Sequence, residues 1–260
     1  LEAFQRAIFR PYGMVLVTGP TGSGKTNTLY SAIATVNTPE TNIMTAEDPV
    51  EFNLHGINQV QVKESIGLTF AASLRSFLRQ DPNIVLVGEI RDFETAEIGV
   101  KAALTGHLVL STLHTNDAPR TLTRLVDMGV KPYAIATSIS LIIAQRLARR
   151  LCQDCREARD IPDEALRREG FPQDMIESGI TVYAPVGCHR CSDGYKGRVG
   201  IYQVMPVTET IGRIILEGGN AMQIAEQAEN ESVWDLRRSG LQKVIDGVTS
   251  LEEINRVTVD

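Results

Sequence analysis

The sequence is poor in aromatic residues, which make up 5% of its 260 positions and include a single tryptophan. Any core it builds must therefore be mostly aliphatic. A surplus of positive charge is also missing: 26 lysines and arginines face 32 aspartates and glutamates, a formal net charge of −6. That balance leaves no global basic footprint for nucleic acid, and segments pairing aromatic with basic residues for base stacking do not occur. No apolar run is long enough to cross a bilayer, and no signal peptide opens the chain. Leu1 is not an initiator methionine, and residues 1–10 begin in the middle of a helical pattern with Phe4, Ala7 and Ile8 on one face. The expectation is a domain excised from a longer protein. Cysteine is scarce too, and its four residues fall in pairs, which points to a reducing compartment and away from disulfides.

What is present is enough apolar content, 43%, for one substantial core with a smaller appended subdomain. The stretch that organises the rest is Gly-Pro-Thr-Gly-Ser-Gly-Lys-Thr at residues 19–26. It follows a short apolar run, Met14 to Val17, that reads as a buried parallel strand, and it precedes a segment, residues 27–36, that reads as a helix. Strand, glycine loop and helix together form the setting of a phosphate-binding loop. Glycines let the backbone N–H groups turn inward around an anion, and the helix adds its positive end. The candidate nucleotide-binding residues are Gly19, Pro20, Thr21, Gly22, Ser23, Gly24, Lys25, Thr26 and Asn27. Lys25 would reach the β- and γ-phosphates, and Thr26 would offer its hydroxyl to Mg²⁺.

Further on, a second strand at residues 42–46 ends in three acids, Glu47, Asp48 and Glu51. Acids at the C-terminal end of a parallel strand can hold Mg²⁺ or orient a water for attack. An alternating run at residues 57–62 reads as a strand with one wet face, and Thr69 is placed to cap a helix through about Gln80. Arg75 and Arg79 share a side of that helix. Four β-formers at residues 84–87 then lead to Gly88 and Glu89, a strand-plus-acid signature in which Glu stands where Asp is commoner. A glutamate there can polarise the attacking water or hold the metal's outer shell. Residues 94–104 read as a helix, and residues 107–116 as a buried strand whose polar end carries His114, a candidate hydrogen-bond donor to a γ-phosphate. Residues 117–128 read as a capped helix and residues 132–150 as a second helix with a basic end.

Cys152, Cys155, Cys188 and Cys191 form two Cys-x2-Cys knuckles separated by 32 residues. Two knuckles complete a tetrahedron of thiolates, for which structural Zn²⁺ is the natural occupant and iron the alternative. The long insert is expected to carry its own helix near residues 163–169, and the glycine-spaced run at 194–202 a tight returning hairpin. From Thr208 the chain reads as helical to its end, with a capping-box pattern at Ser250 to Glu253.

Taken in order, these motifs resemble the secretion ATPase superfamily that drives type II secretion and type IV pilus assembly. The glycine loop matches; residues 45–51 resemble the family's Asp box, residues 86–92 its Walker B segment, and residues 105–116 its His box. The resemblance covers nearly the whole chain. It implies an α/β fold with a RecA-like P-loop NTPase core (residues 1–150), a tetracysteine zinc-binding subdomain (151–205) and a helical C-terminal subdomain (206–260). It also implies ATP, Mg²⁺ and Zn²⁺ as cofactors, a homohexameric ring with nucleotide bound between domains, and a preceding N-terminal domain that completes the nucleotide pocket. Glu89 and Glu51 become the catalytic carboxylates, with Glu47 beside them, and His114 the γ-phosphate contact. Arg75, Arg79 or Arg91 would act on a neighbour's nucleotide. The tetracysteine insert is similar to the pilus-extension and type II secretion branches, and the runs at 115–119 and 194–202 lean toward pilus assembly. Such a motor would work in the cytoplasm, at the inner membrane's inner face, against a membrane platform protein. A nucleic-acid translocase on the same core and a purely structural zinc module are the rival classes.

Overall fold

The computed structural model describes residues 2–258; Leu1 and residues 259–260, which the readings above include in the first helix and the C-terminal subdomain, lie outside it. In chain order the elements are α1 (Glu2–Ile8), β1 (Gly13–Thr18), α2 (Lys25–Val36), β2 (Ile43–Glu47), β3 (Asn58–Gln61), a 3₁₀ turn (Glu64–Ile66), α3 (Phe70–Phe77), β4 (Ile84–Val87), α4 (Phe93–Leu104), β5 (Leu108–Leu113), α5 (Ala118–Asp127) and α6 (Pro132–Ser138). There follow β6 (Ile139–Leu151), β7 (Glu157–Arg159), α7 (Asp163–Glu169), α8 (Gln173–Glu177), β8 (Val182–Ala184), β9 (Tyr195–Pro206), α9 (Glu209–Leu216), α10 (Ala221–Asn230), α11 (Leu236–Ile245) and α12 (Leu251–Thr258).

Seven strands form one sheet in the order β3-β2-β4-β5-β1-β6-β9. The pairs β2 with β3, β2 with β4, β4 with β5, β1 with β5 and β1 with β6 are all parallel. Strands buried on both faces read as near-continuous apolar runs, as β1, β4 and β5 do; the buried hydroxyls of Ser111 and Thr112 donate to the Val87 and Gly88 carbonyls. Alternate residues serve opposite layers. Ile84 and Leu86 join Val15, Val17 and Leu110 beneath Leu29 and Ile33 of α2. Val85 and Val87 face the other way, onto Phe70, Leu74 and Phe77 of α3. Thr69 caps α3 by accepting from the Ala72 N–H at 3.1 Å, as its position suggested. Asp92 and Asp117 do the same for α4 and α5.

One reading is corrected. Residues 132–150 are not one helix: α6 stops at Ser138 and the chain continues as β6, in parallel register with β1 through Leu16 opposite Ile142. The run of Ile, Leu and Ala suits helix or strand by local preference, and the unpaired edge of β1 decides in favour of a strand. The arginines at its end therefore lie on a strand and do not answer a helix dipole.

The chain forms two compact units, residues 1–144 with 204–233 and residues 145–203 with 234–260. The C-terminal helices are divided between them. In the first unit α9 packs on α6, and α10 on α5 and α9. In the second, α11 packs on α12, and both meet β8. The second unit also holds the antiparallel pair β7–β8 and the helix at Asp163–Glu169. Its α12 has half of the capping box foreseen: Ser250 accepts from the Glu253 N–H at 3.2 Å, while the Glu253 side chain turns to Arg149 and Arg256. A complete capping box, not anticipated, opens α10, where Asn220 and Gln223 cap one another.

Candidate functional site

The sheet order sets the site. β1 and β2 are consecutive in the chain but separated in the sheet by β5 and β4, so their crossover leaves a switch point at the C-terminal ends of the strands. Register aligns those ends: Thr18 opposite Leu113, Val87 opposite Ser111, and Ala46 opposite Val87. The residues that follow, Gly19, Glu89, His114 and Asp48, therefore leave the sheet along one edge.

At β1 the chain turns through Gly19, Gly22 and Gly24, all at positive φ (145°, 78° and 87°). Gly22 and Gly24 occupy the left-handed region that side chains resist. No side chain caps α2, and its first N–H groups face the loop. Lys25 folds its ammonium back over the loop, donating to the carbonyls of Gly19 at 2.9 Å and Pro20 at 3.0 Å. These are neutral acceptors that a phosphate would outcompete. Pro20, Thr21 and Asn27 are exposed, Ser23 is buried, and Thr26 is half-buried at the helix start.

At the same edge, Glu89 is held from both sides. Its Oε1 is bound by the Arg91 guanidinium, and its Oε2 lies 3.2 Å from His114 Nε2. A carboxylate only accepts, so the second contact is a hydrogen bond when the imidazole proton sits on Nε2. Arg91 also approaches Asp48 at 3.7 Å and Glu64 at 4.0 Å, with its charge 6.0 Å from the centre of the Phe70 ring. The hydrogen bond to Glu89 raises the Arg91 pKa, against the lowering effect of burial. Gly88 allows this arrangement: a Cβ there would meet the Ala46 carbonyl at 3.2 Å and Phe70 at 3.4 Å.

The three acids at the end of β2 and just beyond it separate. Glu47 turns inward and is buried; it accepts from the Tyr30 hydroxyl, from Thr45 Oγ1 at 2.5 Å and from Gln59 Nε2 at 3.2 Å. Burial, and then the bond to Glu47, raise the Tyr30 pKa well above its usual range. Asp48, joined to Pro49 by a cis peptide bond, and Glu51 are exposed. The structure thus brings together Glu89, Arg91, His114 and Asp48, and sets Glu47 beneath them with its oxygens engaged. Arg75 and Arg79 stand elsewhere, exposed: Arg75 on α3 and Arg79 in the turn after it, because α3 ends at Phe77 and does not run on to Gln80. Arg75 pairs with Glu94 at 2.5 Å, and Arg79 donates to the Arg75 carbonyl at 2.9 Å. Sequence reasoning missed the roles of Tyr30 and Gln59 as the clamp on Glu47, and Asp48 as a partner of Arg91. Asp48 was visible in the acid cluster; nothing local marks the other two.

In the second unit the four cysteine sulfurs lie within 4.8 Å of one another. Cys152 and Cys188 are 3.9 Å apart, Cys155 and Cys191 3.7 Å, and Cys188 and Cys191 3.7 Å. A tetrahedron with Zn–S bonds of 2.3 Å has edges of about 3.8 Å, so the cluster has the dimensions of a zinc cage. The N–H groups of Gly187 and Cys188 donate to Cys155 and Cys191 at 3.3 and 3.2 Å, as they would to thiolates. Without a cation the four cannot all ionise: burial and the neighbouring sulfurs push the Cys155 thiol up to about 12. A divalent cation in place of the protons relieves that crowding.

Comparison with known proteins gives the family. The family model described as "Type II/IV secretion system protein" matches residues 1–256, and the chain belongs to that family. Among curated relatives it is 60% identical over 256 residues to the "Type IV pilus assembly ATPase PilB" of Acinetobacter baylyi, covering 98% of this chain and 44% of that protein. It is 50% identical over 252 residues to the "Type II secretion system protein E" of Dickeya dadantii, covering 96% of this chain and 49% of that protein. Among solved structures, that of the pilus retraction motor PilT with bound ADP superimposes with a TM-score of 0.75 at 27% identity, covering all of this chain and 65% of that one. The chain spans about half the length of the curated relatives it matches.

Proposed function

We propose that this chain is the catalytic part of a mechanochemical ATPase that powers type IV pilus assembly, built on a RecA-like core. The observation that carries the reading is the engagement of Glu89 by Arg91 and His114 at the strand-end edge that also carries the glycine loop of Lys25. Residues 19–27 hold the triphosphate, with Lys25 on the β- and γ-phosphates. Mg²⁺ takes oxygen ligands, and Thr26 would supply one at the helix start, whereas Glu47 is already engaged by Tyr30, Thr45 and Gln59. When bound, the metal supplies charge neutralisation at the phosphates. Glu89 accepts the proton of the attacking water once His114 leaves Oε2 for a γ-phosphate oxygen, and Glu51 is the second carboxylate of the pocket. Arg91 holds Glu89 within its own subunit, and exposed Arg79 is left to meet a neighbour's nucleotide.

Higher identity to the pilus-assembly relative than to the secretion one favours the pilus, and type II secretion is the second reading. The same proposal includes a homohexamer, a platform protein of the inner membrane as partner, a place on that membrane's cytoplasmic face, and Zn²⁺ in the cysteine cage. It also keeps the functional division into 1–150, 151–205 and 206–260. Among the described residues no helix is long and apolar enough to cross a membrane, which accords with a peripheral motor. The test is hydrolysis by the intact protein. Lys25→Ala is expected to lose nucleotide affinity. Glu89→Gln is expected to bind ATP normally and turn over at least 100-fold more slowly, in the range found for a misplaced or missing general base. Undiminished turnover in Glu89→Gln would remove the assignment.

A further inference from the structure

Three threonine hydroxyls outside the residues assigned so far join the glycine loop to the His114 segment. Backbone pairing between β1 and β5 ends at Thr18 opposite Leu113. Beyond that point side chains take over the connection. The Thr115 N–H donates to Thr18 Oγ1 at 2.9 Å, and the hydroxyls of Thr18 and Thr115 are 2.6 Å apart. Thr115 Oγ1 lies 2.6 Å from Thr121 Oγ1, and Thr121 donates to the Asp117 carbonyl at 3.0 Å. Thr18 and Thr121 are fully buried.

Each hydroxyl has one proton and at least one acceptor within reach. Thr121 donates to Asp117, Thr115 to Thr121, and Thr18 to Thr115 or to the Leu113 carbonyl at 2.9 Å. The Thr115 hydroxyl also reaches the Asp117 carbonyl at 3.2 Å, so the three hydroxyls keep acceptors whichever way their protons run. At one end of this chain Thr18 immediately precedes Gly19. In its middle Thr115 immediately follows His114, whose ring is exposed and reaches Glu89 at 3.2 Å. An anchor of two backbone-adjacent bonds fixes where that ring can reach, and a displacement of about 1 Å is enough to lose a contact of this kind.

We infer that Thr18, Thr115 and Thr121 are positioning residues that hold His114 at a fixed height above the glycine loop, so that loop and histidine move as one piece. The inference rests on the ATPase reading for its catalytic consequence but not for its structural one. The experiment compares Thr115→Val, Thr115→Ser, His114→Ala and the double variant His114→Ala/Thr115→Val in the intact protein. Valine keeps the β-branched shape and removes the oxygen; serine keeps the oxygen. Thr115→Val is expected to lower kcat about tenfold with nucleotide Kd within about twofold, and Thr115→Ser to regain most of the rate. The double variant is expected to be no slower than His114→Ala alone, because the threonine acts through the histidine. Multiplying losses in the double variant, or a kcat unchanged by Thr115→Val, would overturn the positioning role. Hydrogen–deuterium exchange of residues 113–121 without nucleotide separates the two claims. Thr115→Val is expected to speed exchange there about tenfold; unchanged exchange sinks the inference whether or not ATP is hydrolysed. Accelerated exchange in a protein that hydrolyses no ATP sustains the anchor and removes the ATPase reading instead.

Discussion

Glu253 offers a quantitative test of what holds the second unit together. Its side chain is fully buried in α12, and its carboxylate accepts five hydrogen bonds. Three come from Arg149 on β6: the backbone N–H at 2.8 Å, Nε at 3.0 Å and Nη2 at 2.8 Å. Two come from Arg256, at 3.0 and 2.6 Å. Burial alone would raise the pKa, but the Arg256 and Arg149 bonds outweigh it and hold the group at about 2, against an ordinary 4.5. At about 1.4 kcal/mol per pKa unit, that difference is worth about 3 kcal/mol of folding stability. The folded-state pKa is depressed, so this stability is complete above the unfolded-state value and is lost as pH falls from about 5 towards 2. Glu253→Gln keeps the shape, removes the charge and turns an NH₂ group towards guanidinium donors. Arg149 and Arg256 are half-exposed and can regain water, so the loss at pH 7 is expected to be about 2–3 kcal/mol, at the low end for a broken buried pair. Trp234, the sole tryptophan, lies in the same unit and reports its unfolding. Urea titrations at pH 7, 5 and 3 should show wild type losing stability with acid over this window and Glu253→Gln losing much less. A variant as stable as wild type at pH 7, or with the same acid dependence, would refute the assignment.

Other perturbations follow from single contacts. Gly88→Ala places a methyl 3.2 Å from the Ala46 carbonyl and 3.4 Å from Phe70, and is expected to destabilise the first unit by about 1–2 kcal/mol in chemical denaturation while slowing turnover through Glu89. Elemental analysis should find about one zinc per chain, lowered by Cys188→Ser or a strong chelator, with early unfolding of the second unit; folded protein with four freely titrating thiols and no metal would end that claim. Arg91→Ala frees Glu89 Oε1 and is expected to lower kcat at least tenfold within a subunit; a loss rescued by mixing with wild-type subunits would mean that Arg91 acts across a boundary instead.

The parts of the fold legible in the sequence are those whose cause is local. The glycine loop needs positive φ at Gly22 and Gly24, and glycine is what supplies it. The buried strands need β-formers on both faces, and the cysteine knuckles need two-residue spacers. Other features depend on partners far along the chain. β6 is a strand because the edge of β1 is open to it, and nothing between residues 132 and 150 states that. Arg149 and Glu253 are 104 positions apart. Among Glu47, Asp48 and Glu51, the sequence shows three acids after a strand; which one turns inward depends on Tyr30 and Gln59, brought in by α2 and the neighbouring strand β3. The site's position at the sheet edge was therefore readable, and the division of labour within it was not.

That division has a physical consequence. Asp48, Arg91, Glu89 and His114 come from the ends of three neighbouring strands, β2, β4 and β5, and each touches the next. Glu89 has no spare oxygen while both neighbours hold it. Any group that draws His114 away frees Oε2, and because His114 is tied through Thr115 to the end of β1, the same event bears on the glycine loop. A ligand that engages the loop and the histidine together would thus change the state of the carboxylate without touching it. Under the proposed ATPase reading, this arrangement couples phosphate contact to chemistry, so that hydrolysis waits for the nucleotide to be seated.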